Sequence, residues 1–168
     1  MASTGDNTGS RNIVIKNHDE ILIMQEANQI VAETLSMLSG VVDVGISTWE
    51  LDRLAEKMCR GRNASPAFKG YRGFPGSLCV SINEEVVHGI PSRKRKLRKG
   101  DIISIDFGVL YKGFYGDSAI TLPVGKISAE AKRLLDVTRQ SLDKGIEQVQ
   151  AGNRIGDISR AIQEFVEA

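Results

Sequence analysis

Apolar side chains recur at helical spacing in two stretches near the beginning of the chain. The first stretch follows Asn17, a residue suited to capping a helix, and ends at Gly40. Its apolar positions lie three or four residues apart and are Ile21, Met24, Ala27, Val31, Leu35 and Leu38. Ser47 and Glu50 then form a capping-box pattern. The apolar positions that follow it are Leu51, Leu54, Ala55 and Met58. The pattern therefore predicts a pair of amphipathic helices.

The middle of the chain has the pattern of a loop followed by strands. Residues 61–76, GRNASPAFKGYRGFPG, are rich in Gly, Pro and aromatic residues and predict a structured loop. Runs of apolar and β-branched residues then predict strands at 78–82, 101–110 and 115–122.

The last two predicted helices resemble the first two. One is capped by Ser128 and ends near Gly152, and the other begins at about Asp157. Their apolar positions align with those of the first pair after about 110 residues, which indicates two similar halves. Two amphipathic helix pairs can also align by chance. Because no strands are predicted after the second pair, we expect the 168 residues to contain one half and part of another.

Composition excludes several kinds of site. The chain has 22 Lys and Arg against 21 Asp and Glu, which argues against a general polyanion-binding surface. Two His are too few for a three-histidine metal site, and the wide spacing of the two His and two Cys fits neither a self-contained zinc finger nor a disulfide framework. Cys59 lies in a helical pattern and Cys79 in a strand pattern. We therefore expect reduced thiols and a cytoplasmic protein.

The first twelve residues, MASTGDNTGSRN, are small and polar and predict a disordered arm. They lack the apolar segment of a secretory signal, and no apolar run approaches the length of a transmembrane helix. We therefore divide the chain into a polar arm at 1–12 and a folded part at 13–168.

Two acidic residues, Asp106 and Asp117, stand in predicted strands on either side of a turn at 111–113. A loop of two or four residues would place both side chains on one face, directly opposed or diagonal. A three-residue loop would place them on opposite faces unless a bulge intervenes. Two close carboxylates repel unless one is protonated or a cation lies between them. The pair is either a divalent metal site or two unconnected acids, and its apolar surroundings favour the metal site.

Two further features have both a functional and a structural interpretation. His88 lies between an apolar pair and a Gly–Pro turn, where it is either a hydrogen-bonded structural residue or an acid, donor or ligand in a cleft. Residues 93–99 carry six cations. Such a tract contacts nucleic acid, the ribosome or an importer, or is a solvated connection, and we favour the connection.

These residues resemble those of the type I methionine aminopeptidases. The resemblance extends over 15–168 and is strongest in AFKGYRGFPGSLCVSINEEVVHGIP and GDIISIDFGVLYKGFYGDSAIT. It implies a pita-bread fold, in which two α+β halves related by a pseudo-twofold axis enclose a metal site. It also implies the metal-dependent removal of initiator Met from nascent proteins. On this resemblance the chain contains the N-terminal half, about 13–127, and the first two helices of the second half, 128–168.

The resemblance also implies roles for individual residues. Asp106 and Asp117 correspond to the first two of five ligands of two divalent metal ions, for which Co, Mn, Fe and Zn are the candidates. His88 corresponds to a catalytic and substrate-binding histidine that hydrogen-bonds the scissile amide nitrogen. The residues that correspond to the wall of the Met side-chain pocket are Tyr71, Phe74 and Cys79, with Phe68 at a neighbouring, more variable position.

The family's remaining ligands, one His and two Glu, have no counterpart in this sequence, in which no His follows Asp117. We therefore expect the 168 residues by themselves to be inactive, and to associate or be marginally stable because helix faces are left uncovered. The expected partners are peptides with an N-terminal Met, with the ribosome as a further candidate, and neither membrane nor specific DNA. The alternatives are a noncatalytic pita-bread module that acts at the ribosome through residues 93–99, and another pita-bread hydrolase such as a prolidase.

Overall fold

Four helices and four antiparallel strands make up residues 14–168, the part of the chain that the computed structural model describes. The predicted arm at 1–12 lies outside these residues. The helices are α1 (His18–Ser39), α2 (Thr48–Gly61), α3 (Ala129–Glu147) and α4 (Ile155–Glu167). The strands are β1 (Ser65–Pro66), β2 (Leu78–Ile82), β3 (Ile102–Tyr111) and β4 (Phe114–Pro123). The predicted order of elements is confirmed, except that the short strand β1 lies within the predicted loop at 61–76 and that α3 ends at Glu147 instead of near Gly152.

The first two helices begin where the sequence predicts. The Asn17 side chain accepts a hydrogen bond from the backbone N–H of Glu20 at 2.9 Å, and the Glu20 carboxylate accepts one from the N–H of Asn17 at 2.8 Å. Ser47 and Glu50 make the same reciprocal pair at the start of α2. These two boxes satisfy backbone donors that a helix otherwise leaves unpaired at its N-terminus.

Strand β3 is the centre of the sheet. It pairs with β4 along its whole length, from Ile102 opposite Pro123 to Tyr111 opposite Phe114. Its other edge is shared by two shorter strands, β2 beside 103–107 and β1 beside 109–110. All pairings are antiparallel. Along each strand, successive side chains point to opposite faces of the sheet.

The core lies between one face of this sheet and the first two helices. Alternate β3 side chains are fully buried there: Ile103, Ile105, Phe107 and Val109. The buried residues of α1 begin at Ala27 and continue to Leu38. Ile21 was predicted to lie in the same stripe, but it is 51% exposed, and the buried residues of α1 begin only at Ala27. Gly116 makes the contact of α1 with the sheet possible, because a Cβ there would lie 2.7 Å from the backbone of Ala27.

The second helix pair packs mainly on itself. The Ile162 side chain of α4 packs against Gly145 of α3. A Cβ at position 145 would lie only 2.9 Å from this side chain. In α3 only Ser141 and Gly145 are buried, and no residue of α4 is. Apolar side chains of α3 and of the segment after it remain exposed, namely Leu134, Leu142, Ile146 and Val149. Within residues 14–168, none of the helices is both long and apolar enough to span a bilayer.

Candidate metal centre

The turn between β3 and β4 determines how the two predicted acids are related. Tyr111 pairs with Phe114, so the loop consists of two residues, Lys112 and Gly113. Their φ angles of 47° and 84° are both positive, as in the type I′ turns that suit two-residue hairpins. A two-residue loop is one of the lengths expected to place the acids on the same face.

Asp106 and Asp117 therefore share one face and are diagonal neighbours. Asp106 lies opposite Ala119, and Asp117 lies opposite Gly108, which is two residues from Asp106. Cβ atoms in such a diagonal relationship are roughly 7 Å apart or slightly less, against about 5 Å for directly opposed residues. This face is opposite the one that packs against α1 and α2.

The two acids interact electrostatically. Burial raises the pKa of Asp106 to about 6, and the charge of Asp117 and the direct interaction of the two carboxyl groups act in the same direction. The charge of His88 opposes this rise in the pKa of Asp106. His88 is thus near enough to affect the pair. A bound cation would remove the repulsion that makes the ionised pair unfavourable.

Cys79 adjoins the two acids from strand β2. It lies opposite Asp106 in the β2–β3 register, so its side chain is on the same face. Cys79 is 6% exposed, and burial, reinforced by the charges of Asp106 and Asp117, raises the pKa of its thiol to about 11. The thiol is consequently neutral at physiological pH, which makes it an apolar wall rather than a reactive nucleophile.

The ring of Phe68 covers the same face beside the acids. A Cβ on Gly108 would lie 2.7 Å from the Cε1 atom of Phe68, so the ring occupies the space that a larger residue in β3 would fill. The backbone before Phe68 is fixed by a hydrogen bond of 2.8 Å from the N–H of Ala67 to the carbonyl of Gly108. Gly108 was not among the predicted site residues. An isolated Gly within a strand pattern was the signal that could have identified it.

His88 lies in the loop after β2, with an exposed side chain. It has a positive φ of 63°, an unusual conformation for a residue with a side chain. The next residue, Gly89, lies directly against β2, since a Cβ there would be 1.9 Å from the Val80 carbonyl oxygen. The N–H of Val80 donates to the Gly89 carbonyl at 2.8 Å, and the N–H of Gly89 donates to the Ser81 hydroxyl at 3.1 Å. These contacts hold His88 beside the strand that carries Cys79.

Tyr71 and Phe74 are less enclosed than the other predicted pocket residues. They belong to a short 3-10 turn that follows Phe68, in which Phe74 is half-buried and Tyr71 is 65% exposed. The structure therefore brings four of the predicted residues onto one sheet face, with His88 nearby, and leaves these two in the adjoining segment. The four are Phe68, Cys79, Asp106 and Asp117.

The residues fit a metal ion in part. Two diagonally placed carboxylates on a partly buried sheet face are suitable oxygen ligands for a divalent cation. Across residues 14–168, however, no three side chains of His, Cys, Asp or Glu cluster closely enough to enclose an ion. The pair can therefore supply one side of a coordination shell, and the other side requires further donors.

Comparison with known proteins agrees with this arrangement. Residues 23–168 match the model of metallopeptidase family M24. The chain is 53% identical over 156 residues to a methionine aminopeptidase of Clostridium acetobutylicum, and the match covers 93% of this chain and 62% of that protein.

Solved structures show the same fold. The crystal structure of methionine aminopeptidase from Thermotoga maritima superposes with a TM-score of 0.90 at 42% identity, over 93% of this chain and 63% of that one. An Xaa-Pro dipeptidase from Bacillus anthracis superposes with a TM-score of 0.80 at 25% identity, over 91% of this chain and 41% of that one. The predicted pita-bread fold, represented by its N-terminal half and two further helices, is confirmed. On the match of residues 23–168, the chain belongs to metallopeptidase family M24.

Proposed function

We propose that the chain supplies the first half of a methionine aminopeptidase active site, which removes the initiator Met from nascent proteins in the cytoplasm. The observation that carries the proposal is the diagonal pair Asp106 and Asp117, which shares one sheet face with Cys79 and Phe68. Two relatives of the chain, both named methionine aminopeptidase, are 53% and 52% identical to it. Peptidases of family M24 use divalent metal ions.

In this proposal Asp106 and Asp117 hold two divalent ions on one side, and His88 hydrogen-bonds the nitrogen of the scissile amide. The bound ions would polarise the peptide carbonyl and make water a stronger nucleophile at neutral pH. The strained backbone of His88 supports its role, because such conformations persist where surrounding contacts enforce them and are common at active sites.

Phe68, Tyr71, Phe74 and Cys79 form the pocket for the Met side chain in the same proposal. A thioether makes favourable contacts with aromatic edges and polarizable neighbours. The neutral thiol of Cys79 suits such a pocket, since it presents no charge to an apolar side chain. The substrates are peptides and nascent proteins that begin with Met.

The proposed division is a first half at about 13–127 and part of a second half at 128–168. The order of α1 and α2 before the sheet, and of α3 and α4 after it, supports this division. The 168 residues span 62% of the Clostridium relative. Because two carboxylates leave a metal ion mostly hydrated, we propose that these 168 residues do not turn over substrate by themselves.

Paramagnetic broadening by Mn²⁺ tests the metal assignment directly. We expect Mn²⁺ to broaden the NMR signals of Cys79, Asp106 and Asp117 at about millimolar concentration, the range of weak oxygen-ligand sites. The double variant Asp106→Asn, Asp117→Asn should lose the effect. Asp101→Asn is the control, because this partly buried acid lies just before the same strand and accepts hydrogen bonds from Asn83 and the N–H of Arg98 instead. Broadening that survives the double variant would contradict the assignment.

Activity is tested in the same samples with the peptide Met-Ala-Ser and Mn²⁺, Co²⁺ or Fe²⁺. We expect no release of Met. Turnover that disappears in Asp106→Ala would overturn the proposed inactivity of these residues alone while supporting the metal assignment.

The basic tract supports a contact with ribosomal RNA as a secondary proposal. Two contacts anchor the tract to the start of α2. The backbone N–H of Thr48 donates to the carbonyl of Arg95 at 2.9 Å, and the Arg93 guanidinium lies 3.6 Å from the Trp49 ring centroid. Arg95 pairs with Glu85. The cations of the tract that remain exposed are Arg93, Lys94, Lys96, Arg98 and Lys99.

Co-sedimentation with ribosomes tests this secondary proposal. Binding through several phosphates should weaken steeply with salt, and it should be lost when Lys94, Lys96, Arg98 and Lys99 are changed to Gln. Binding that is insensitive to salt, or no binding at low salt, would leave the tract as a structural connection.

A further inference from the structure

Two buried acids of α2, Asp52 and Glu56, contact the segment at residues 67–78, which contains the proposed pocket aromatics. Each of them is only 5% exposed. They lie one helical turn apart on α2 and are separate from the acidic pair of the sheet. A buried carboxylate is unfavourable unless it has hydrogen-bonding or charged partners. The partners of both acids include residues of this segment.

Asp52 fixes the end of the segment. Its Oδ1 atom accepts hydrogen bonds from the backbone N–H groups of Ser77 at 2.6 Å and Leu78 at 2.9 Å. Leu78 is the first residue of β2 and directly precedes Cys79. The chain passes close to the carboxylate, since a Cβ on Gly76 would lie 3.1 Å from the same Oδ1 atom. Asp52 therefore determines where the segment joins the sheet.

Glu56 adds a contact near the beginning of the segment, where the N–H of Ala67 already donates to the carbonyl of Gly108. Its Oε2 atom accepts a hydrogen bond of 2.8 Å from the ammonium group of Lys69, the residue after Phe68. The same carboxylate also pairs with Arg53 and Arg60, both of which belong to α2 itself. Of its three partners, Lys69 alone connects the helix to the segment.

Between these anchors the segment is stabilised by bonds to itself. The N–H of Gly70 donates to the carbonyl of Phe74 at 2.8 Å, and the N–H of Tyr71 donates to the carbonyl of Phe68 at 3.0 Å. These local bonds give the turn its shape. They do not by themselves determine its position over the sheet.

We propose that Asp52 and Glu56 are positioning residues, which hold residues 67–78 so that Phe68 lies over the acidic face and Tyr71 and Phe74 lie in the segment beside it. The choice of the Met side chain as the ligand of these aromatics rests on the proposed function. The anchoring of the segment does not depend on it.

Amide hydrogen exchange on the 168-residue chain tests the anchoring with a matched pair of variants. Lys69→Met removes the cation that joins Glu56 to the segment, whereas Arg60→Met removes a cation that pairs with Glu56 within the helix. Loss of a charged hydrogen bond predicts about tenfold faster exchange of the Gly70, Tyr71 and Phe74 amides in Lys69→Met. Exchange of α1 amides should be unchanged, and Arg60→Met should resemble the original chain.

A second pair of variants tests Asp52. Asp52→Asn keeps an acceptor oxygen for Ser77 and Leu78, and Asp52→Ala removes it. We expect protection of these two amides to be lost in the Ala variant and largely retained in the Asn variant. Should the Ala variant fail to fold, the comparison of Lys69→Met with Arg60→Met still decides, because both side chains are at least 38% exposed.

Two outcomes would overturn the proposal. Unchanged exchange of residues 67–78 in Lys69→Met would show that Glu56 does not hold the segment. Equal acceleration in Arg60→Met, or acceleration throughout the chain, would show a general loss of stability rather than positioning.

Saturation transfer with the dipeptide Met-Ala distinguishes positioning for a ligand from a structural role. We expect transfer from the protein to the Met methyl group to fall at least threefold in Lys69→Met and to persist in Arg60→Met. Equal transfer in both variants would overturn a role in the pocket. Absence of transfer in the original chain, with the exchange results as expected, would contradict the proposed function and leave the anchoring intact.

Discussion

The Phe68 ring lies against Gly108, at the β3 position that is directly opposite Asp117. Because Gly108 has no side chain, the Phe68 ring fits beside the acidic pair. A second close approach, of Gly116 to the backbone of Ala27, occurs on the other face of the same hairpin. The two glycines therefore offer matched tests of the two faces of the sheet.

We expect Gly108→Ala and Gly116→Ala to have different consequences. In Gly108→Ala the added methyl group meets a side chain that can rotate, so the loss of stability should be about 1 kcal/mol. In Gly116→Ala it meets the backbone of α1, and a loss of about 3 kcal/mol is expected. Urea unfolding measures both values. A larger loss in Gly108→Ala would contradict the placement of Phe68.

Asp106→Asn should make the metal-free chain more stable above about pH 6. Burial and the neighbouring charge raise the pKa of Asp106 from its usual 3.8 to about 6 in the folded state. Between pH 3.8 and about pH 6 the acid is ionised in the unfolded state but still protonated in the folded state, so the free energy of unfolding falls as pH rises. Above about pH 6 the acid is ionised in both states, and its contribution is constant. Because Asp106 is only partly buried and Asp117 is exposed, solvent screens their repulsion, and we expect a gain of about 1 kcal/mol in Asp106→Asn.

Thermal unfolding in EDTA between pH 3 and 8 measures this difference. The advantage of Asp106→Asn should vanish below about pH 4, where the acid is protonated in both states. Asp143→Asn, which removes the charge of an exposed acid on α3, is the control. An Asn variant that is less stable than the original chain at pH 7 would contradict the repulsion between the two acids.

Gly113→Ala should reduce stability by about 1 kcal/mol, because Gly113 has a φ of 84° that a residue with a side chain adopts with strain. Gly156 in α4 is the matched control, since it has open space around it and an ordinary helical conformation. Gly156→Ala should be neutral or slightly stabilising. Equal losses in the two variants, measured by urea unfolding, would contradict the turn geometry.

The sequence predicted most elements because their signals are local. The capping boxes at Asn17 and Ser47 and the alternation along β3 require only neighbouring residues to be recognised. The relation between Asp106 and Asp117 was left open, because it depends on whether the loop has two or three residues. A Lys at the first turn position, where Asn or Gly is typical, gave no indication of a type I′ turn.

The features that the sequence did not indicate depend on tertiary contacts. Asp52 and Glu56 lie among polar residues of an amphipathic helix, where exposed acids are the ordinary expectation. They are buried because residues 67–78 fold over them, which no local pattern in α2 predicts. In the sequence, Gly108 is a residue expected to weaken a strand. The structure shows that the Phe68 ring occupies the space that a side chain at position 108 would fill.

The second helix pair predicts concentration-dependent association of the 168 residues. Leu142 and Ile146 lie one turn apart on α3 and are 57% and 58% exposed, and Val149 beyond the helix is 68% exposed. Contiguous apolar surface of this kind favours self-association in water. Because these side chains lie outside the core formed by α1, α2 and the sheet, changing them should not weaken that core.

Sedimentation velocity at several concentrations tests this prediction with the double variant Leu142→Gln, Ile146→Gln. We expect the original chain to form larger species as its concentration rises, and the variant to remain monomeric. Lys132→Gln, Lys144→Gln is the control, since it changes two exposed residues of the same helix without altering its apolar surface. A monomeric original chain at high concentration would contradict the prediction, and an associating variant would locate the contact elsewhere on the molecule.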